Sequence, residues 1–143
     1  MAFKLGGQRR DAVHLARAMR PTAARLRADV VTFVPSTRRA EAARGFNPAA
    51  ELARHVASGL GLPGLGLLSK VRETRDQAGL TRVQRAQNQR GAFRARLEPD
   101  ARIHRVLLVD DVLTTGATAD ACARALRDGG VGDVVVVTFA RAP

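Results

Sequence analysis

The stretch Val106-Leu107-Leu108-Val109-Asp110-Asp111-Val112-Leu113-Thr114-Thr115-Gly116-Ala117-Thr118 constrains this chain more than any other. Val106 to Val109 is wholly apolar and reads as a strand buried on both faces. Two acids follow it, then a Thr-Thr-Gly-Ala-Thr turn. A helix is expected over Thr118 to Arg127, closed by Gly129-Gly130. A strand buried on both faces needs cover on both faces, which argues for a parallel α/β sheet.

The rest of the chain supplies elements of the right kind. Asp11 to Arg27 carries Val13, Leu15, Ala16, Met19, Ala23 and Leu26 at mostly helical spacing. Val30 to Val34 reads as a strand, and Pro35 to Gly45 as a polar, basic loop. Asn47-Pro48 fits an N-cap with proline at the first helical position, opening a helix to about Leu60. Leu52, Val56 and Leu60 share one face of it. Gly61, Pro63, Gly64 and Gly66 form a turn. Strands are expected over Leu67 to Val71, Ala92 to Leu97 and Val134 to Phe139. Arg72 to Leu80 shows no periodicity. Thr81 and Gln84 fit a capping box, which predicts a short helix over Arg82 to Gln89. No repeat or linker divides the 143 residues, so one domain over 1–143 is expected.

The central turn has the chemistry of a phosphate site. Gly116 permits close backbone approach. Successive N–H groups and a helix N-terminus offer partial positive charge to an anion. Thr114, Thr115 and Thr118 add hydroxyl donors. Open parallel sheets bind ligands at this location, beyond a strand's carboxyl end. Adjacent carboxylates would repel a phosphate. They make sense if Asp110 and Asp111 accept hydrogen bonds from sugar hydroxyls or face a magnesium ion. A ribose 5-phosphate satisfies both halves. The Gly-Lys-Ser/Thr ending of a Walker loop is missing. A capping reading of the same Asp and Thr residues stays open.

Composition narrows the partners. There are 24 Lys and Arg against 13 Asp and Glu, a net charge of +11. All of these cations but Lys4 and Lys70 are arginines. Such a chain attracts anions, whether nucleic acid or phosphorylated small molecules. With no Tyr or Trp and five Phe, a base-stacking platform is poorly furnished. No apolar run approaches the roughly 20 residues of a membrane span, and Met1 to Gly7 lacks a secretory core. The expected location is the cytoplasm, without membrane insertion. Cys122 stands alone and reads as a small packed residue. His14, His55 and His104 have no metal-like spacing and read as surface or packing residues.

The central segment resembles the phosphoribosyl pyrophosphate (PRPP) signature of type I phosphoribosyltransferases: apolar residues, two acids, Thr-Thr-Gly-x-Thr. The resemblance implies that fold, a mostly parallel sheet flanked by helices. It implies Asp110 and Asp111 on the ribose hydroxyls, and Thr114, Thr115, Gly116, Ala117 and Thr118 around the 5-phosphate. Arg44-Gly45-Phe46-Asn47, Gln77-Ala78-Gly79-Leu80, Arg85, Asn88, Arg90 and Gly91-Ala92-Phe93 narrow the resemblance to the ComF family of competence-associated proteins. That likeness covers nearly the whole chain. It assigns Pro35, Ser36, Thr37, Arg38, Arg39 and Arg44 to a pyrophosphate loop. It makes Arg72 to Leu80 a lid, with Arg75, Gln77, Arg82 and Arg85 as contacts. Two departures stand out. The four-cysteine zinc ribbon of many relatives is absent from these residues, and Ser36-Thr37 replace a frequent Leu-His.

The implied activity is transfer of phosphoribosyl from PRPP, with Mg2+, to an acceptor that the sequence does not name. This is glycosyltransferase-class chemistry in which Asp110, Asp111, Arg75, Arg82 and Arg85 are the catalytic candidates. The ligand is PRPP or a nucleotide monophosphate, and a homodimer follows family habit. Two other readings stay open. One is a non-catalytic role in DNA uptake through single-stranded DNA or competence proteins. The other is a nucleotide-sensing regulator.

Overall fold

Three parallel strands, β1 (Val30–Phe33), β4 (Arg105–Leu113) and β5 (Asp133–Arg141), lie in the order β1-β4-β5. A computed structural model describes residues 9–72, 79–113 and 116–141. β4 is central. Val30 pairs with Val106 and Phe33 with Val109, while Arg105 pairs with Asp133 and Leu113 with Arg141.

The apolar run of β4 explains its place. Leu107 and Val109 enter one core with helices α1 (Arg9–Arg25) and α3 (Pro48–Leu60), among Ala12, Met19, Leu52 and Val56. Val106 and Leu108 enter a second core with helix α5 (Ala117–Asp128), among Cys122, Ala123 and Leu126. Successive side chains alternate faces, so each strand residue feeds one layer or the other. This is the α/β architecture expected, with a parallel sheet covered on both faces.

Several local expectations hold. The first helix is there, with Pro21 inside it. Pro21 lies on the exposed side, where its missing N–H faces solvent. Helix α4 (Arg82–Gln89) opens on the capping box: Thr81 N–H donates to Gln84 Oε1 at 2.9 Å, and Gln84 N–H to Thr81 Oγ1 at 3.1 Å. Asn47 Oδ1 accepts from the N–H groups of Ala49 and Ala50. Its Nδ2 donates to the carbonyl of Val34 at 3.2 Å. One buried side chain thus caps α3 and ties it to the end of β1.

Three expectations are corrected. Pro35 to Gly45 is not a loop throughout: α2 (Arg38–Arg44) is a helix. Thr37 caps it by accepting from Ala40 N–H, and Gly45 ends it at φ 81°. The helix formers Ala40, Glu41, Ala42 and Ala43 outweigh the run of charge. The acids do not follow the central strand. They lie within β4, because pairing with β5 carries the ladder on to Leu113. The second and third expected strands do not join the parallel sheet. β2 (Leu68–Lys70) and β3 (Phe93–Ala95) pair antiparallel as a separate ribbon, with α4 inserted between them. Thr32 Oγ1 accepts from Leu67 N–H at 3.1 Å and fixes the ribbon's start against β1.

Asn47→Ala removes both the cap and the tie, and leaves the Val34 carbonyl buried. We expect a loss of about 2–3 kcal/mol in urea denaturation with the slope unchanged. Asn47→Asp keeps the cap acceptor and should lose less.

Candidate functional site

Parallel pairing brings the ends of β1, β4 and β5 to one edge of the sheet. Val34 N–H donates to the carbonyl of Val109 at 3.0 Å, so the chain from Pro35 onward departs beside Asp110. Pro35, Ser36 and Thr37 are half-buried there. Ser36 Oγ donates to Glu41 Oε1 at 3.1 Å, and Thr37 is the α2 cap. Arg38 and Arg39 stand exposed in the first turn of α2; Arg44 is exposed in its last.

β4 delivers the two acids to opposite faces of the sheet. Asp110 continues the face of Val106 and Leu108, toward α5; Asp111 continues the face of Leu107 and Val109. Asp110 is only 8% exposed. Its Oδ1 accepts from the Asp111 N–H at 2.9 Å. Burial, reinforced by Asp111, raises its carboxyl from the ordinary 3.8 to about 8. Asp111 is half-buried, and its carbonyl accepts from Thr138 Oγ1 at 3.3 Å.

Beyond β4 the backbone turns at Gly116, φ 83°, a left-handed conformation that suits glycine. Gly116 is the N-cap of α5 and supplies no side-chain cap. Ala117 and Thr118 follow in the first turn, half-buried. The N-terminus of this 12-residue helix therefore points its dipole to the same edge. Thr114 and Thr115 lie outside the described residues, as do Arg75 and Gln77.

Arg82 and Arg85 stand about one turn apart on α4. Arg82 lines a cleft of about 530 Å³ between α4 and α5, with Arg90, Phe93, Ala117, Asp120 and Arg124. Arg85 is half-buried, and among the described residues its Nε has no hydrogen-bond partner. Nor has Oε1 of Gln89, a residue 3% exposed that the sequence reading passed over. Arg85 and Gln89 are four apart and share a helix face, so periodicity could have linked them. Buried polar groups without partners are uncommon, and a water or a ligand group can complete them.

Cys122 is fully buried, as a packing residue would be, and burial together with the Asp110 charge pushes its thiol up. Lys70 Nζ stands 5.7 Å from the Phe93 ring centroid. His14 and His104 are exposed, and His55 lies beside Arg54 at 3.1 Å. Among the described residues no cluster of three His, Cys, Asp or Glu could hold a metal, and no helix is long and apolar enough to cross a membrane.

Residues 42–143 match the family model of the phosphoribosyl transferase domain. Over 101 residues the chain is 37% identical to competence protein F of Haemophilus influenzae, covering 69% of this chain and 44% of that protein. The chain thus spans less than half the length of this curated relative. Glutamine PRPP amidotransferase from B. subtilis, solved with ADP and GMP, superposes with a TM-score of 0.59 at 24% identity. That alignment covers 94% of this chain and 26% of the enzyme. A hypoxanthine phosphoribosyltransferase from Staphylococcus aureus gives a TM-score of 0.51 at 14% identity, covering 95% of this chain and 66% of that one. At such identities the structural likeness shows a shared fold.

An acid that is neutral in the folded protein and charged when unfolded destabilises the fold as pH rises. The folded chain holds this proton between the ordinary 3.8 and about 8, so stability falls across that window. Asp110→Asn removes the penalty. At about 1.4 kcal/mol per pKa unit, the variant should gain at least about 1 kcal/mol over the parent at pH 8. It should gain little at pH 4. Thermal melts at both values check this; equal gains would contradict it.

Proposed function

Because the chain belongs to the phosphoribosyl transferase domain family, of the ComF-like kind, we propose that its sheet edge binds PRPP and transfers phosphoribosyl to a nitrogen acceptor. One observation carries the reading. A half-buried acid, a buried acid and a glycine-led helix N-terminus lie toward the carboxyl end of one parallel strand.

In this reading the N-terminus of α5, with Gly116, Ala117 and Thr118, takes the 5-phosphate; Thr114 and Thr115 complete the loop. Asp111 accepts from the ribose hydroxyls. Asp110, protonated near neutrality, donates its O–H to a sugar oxygen. Pro35, Ser36 and Thr37 present the chain to the pyrophosphate, and Arg38 and Arg39 stand over it as exposed donors on α2. Arg44 adds to the field from the far end of the same helix. Arg75, Arg82 and Arg85 belong to the lid side, and the unpartnered Nε of Arg85 suits it to a substrate oxygen.

The reaction breaks the bond from C1 to the pyrophosphate oxygen and forms a bond from C1 to nitrogen. Pyrophosphate leaves with the electron pair, and the nitrogen loses a proton to solvent. The transition state is oxocarbenium-like, so the protein needs no covalent nucleophile. Its work is to bind, orient and exclude water. Asp111, half-buried toward the carboxyl end of β4, would be the acid to face a magnesium ion held mainly by substrate phosphates. Mg2+, when bound with the substrate, would supply charge neutralisation for the pyrophosphate.

A second reading is favoured by the +11 charge and the likeness to competence protein F. In it the same fold serves DNA uptake through single-stranded DNA or competence proteins, without turnover. Salt separates the two: DNA binding would fall steeply with salt, whereas transfer requires PRPP, Mg2+ and an acceptor.

Titration of PRPP with Mg2+ tests the proposal. We expect micromolar binding by the parent chain, and at least a 100-fold loss in the Asp110→Asn, Asp111→Asn double variant, about 2.7 kcal/mol. Circular dichroism should show the fold retained. Unchanged affinity in the double variant would sink the site assignment.

A further inference from the structure

Helix α4 buries little apolar surface. It has eight residues, and a helix so short is marginal in water. Of its described side chains only that of Gln89 is buried, and Val83 is 67% exposed. The open cleft of about 530 Å³ lies on its α5 side. A helix this polar depends on how its ends are held.

The N-terminal end is closed locally, by the Thr81–Gln84 box. The C-terminal end draws on a distant residue. The last carbonyls of a helix have no partner inside it. Arg90 N–H donates to the Gln87 carbonyl, and Ala92 N–H to that of Gln89. The Asn88 carbonyl accepts from Arg72 Nη2 at 2.8 Å, and the same Nη2 donates to the carbonyl of Arg90. The last turn of α4 holds no cation of its own. The Arg72 guanidinium supplies one there and complements the helix dipole.

Arg72 is itself anchored. Lys70 pairs with Phe93 at the end of the β2–β3 ribbon, and Val71 N–H donates to the Ala92 carbonyl at 2.7 Å. The next residue is therefore held beside the point where α4 ends. The ribbon in turn is fixed to β1 through Leu67 and Thr32. An exposed arginine thus ties the free-standing helix to the sheet. Arg85 lies about 4 Å along the axis from the clamped Asn88, and Arg82 about 9 Å. A tilt of α4 about that end displaces both.

We propose that Arg72 is a positioning residue for the sugar-phosphate site: by capping α4 from outside, it sets where Arg82 and Arg85 stand. The inference rests on the sugar-phosphate reading, in which those two arginines meet the substrate from the lid side.

Arg72→Ala and Arg72→Lys test it, with circular dichroism to show that each is folded. In the chain without ligand, amide exchange at residues 86–90 should quicken at least tenfold in Arg72→Ala and stay near parental at 106–109. Arg72→Lys keeps the cation and its donors, and should restore most of the protection. PRPP with Mg2+ should bind Arg72→Ala roughly tenfold more weakly than the parent. In an Arg82→Ala, Arg85→Ala background the same change should cost less than twofold, because Arg72 acts through those side chains. Unchanged exchange over α4 would overturn the clamp, and quickened exchange with unchanged PRPP affinity would overturn the positioning role. So would a tenfold loss that persists in the double-variant background, since Arg72 would then meet the ligand itself. A parent chain that binds no PRPP would overturn the sugar-phosphate reading, and this role with it, whatever the exchange over α4.

Discussion

Everything at the candidate site depends on β4 being paired on both sides. β1 holds it from Val106 to Val109, and β5 holds it as far as Leu113. Parallel strands share a direction, so the departures of β1 and β4 and the end of β5 fall on one edge. The start of α2, the two acids and the N-terminus of α5 are thereby gathered without touching one another in sequence. A loop alone would not hold them, because neither acid would have a fixed face. The ladder gives each one: Asp110 toward α5, and Asp111 toward α1 and α3.

The same ladder creates a cost. Asp110 occupies the position after Val106 and Leu108 on a face that is otherwise apolar. A carboxylate there loses its hydration and finds one backbone N–H in return. The group therefore holds its proton into neutral pH. A packed valine would suit the core better. A buried acid at a sheet edge, beside a helix N-terminus without a side-chain cap, makes more sense as binding machinery than as support. Arg85 and Gln89 on α4 pose the same question, with a buried donor and a buried acceptor left without partners.

Much of this was legible in the sequence where the signal was local. Asn47-Pro48 and Thr81-Gln84 announced their helices because a cap is a contact within four residues. The strand at Val106 announced itself through apolarity alone. What failed was set by distant pairing or masked by charge. β4 continues through Asp110 and Asp111 because β5 is there to pair with it, which no local pattern states. Two short strands left the main sheet for their own ribbon for the same reason. Helix α2 was hidden by its arginines, although Thr37 and Gly45 bracket it. At the site, the left-handed turn at Gly116 was the part that glycine itself announced. The split of the acids between two faces follows from strand alternation, but only once the strand is known to include them.

The central claim is that the carboxyl edge of β4 is a sugar-phosphate site. Amide hydrogen exchange with and without PRPP and Mg2+ tests it most directly, because it reports where the ligand sits without requiring an acceptor. The account predicts slowed exchange at residues 116–119 and 35–39, with residues 30–33 unaffected. Protection confined to the cleft between α4 and α5, around Arg82 and Arg124, would contradict it.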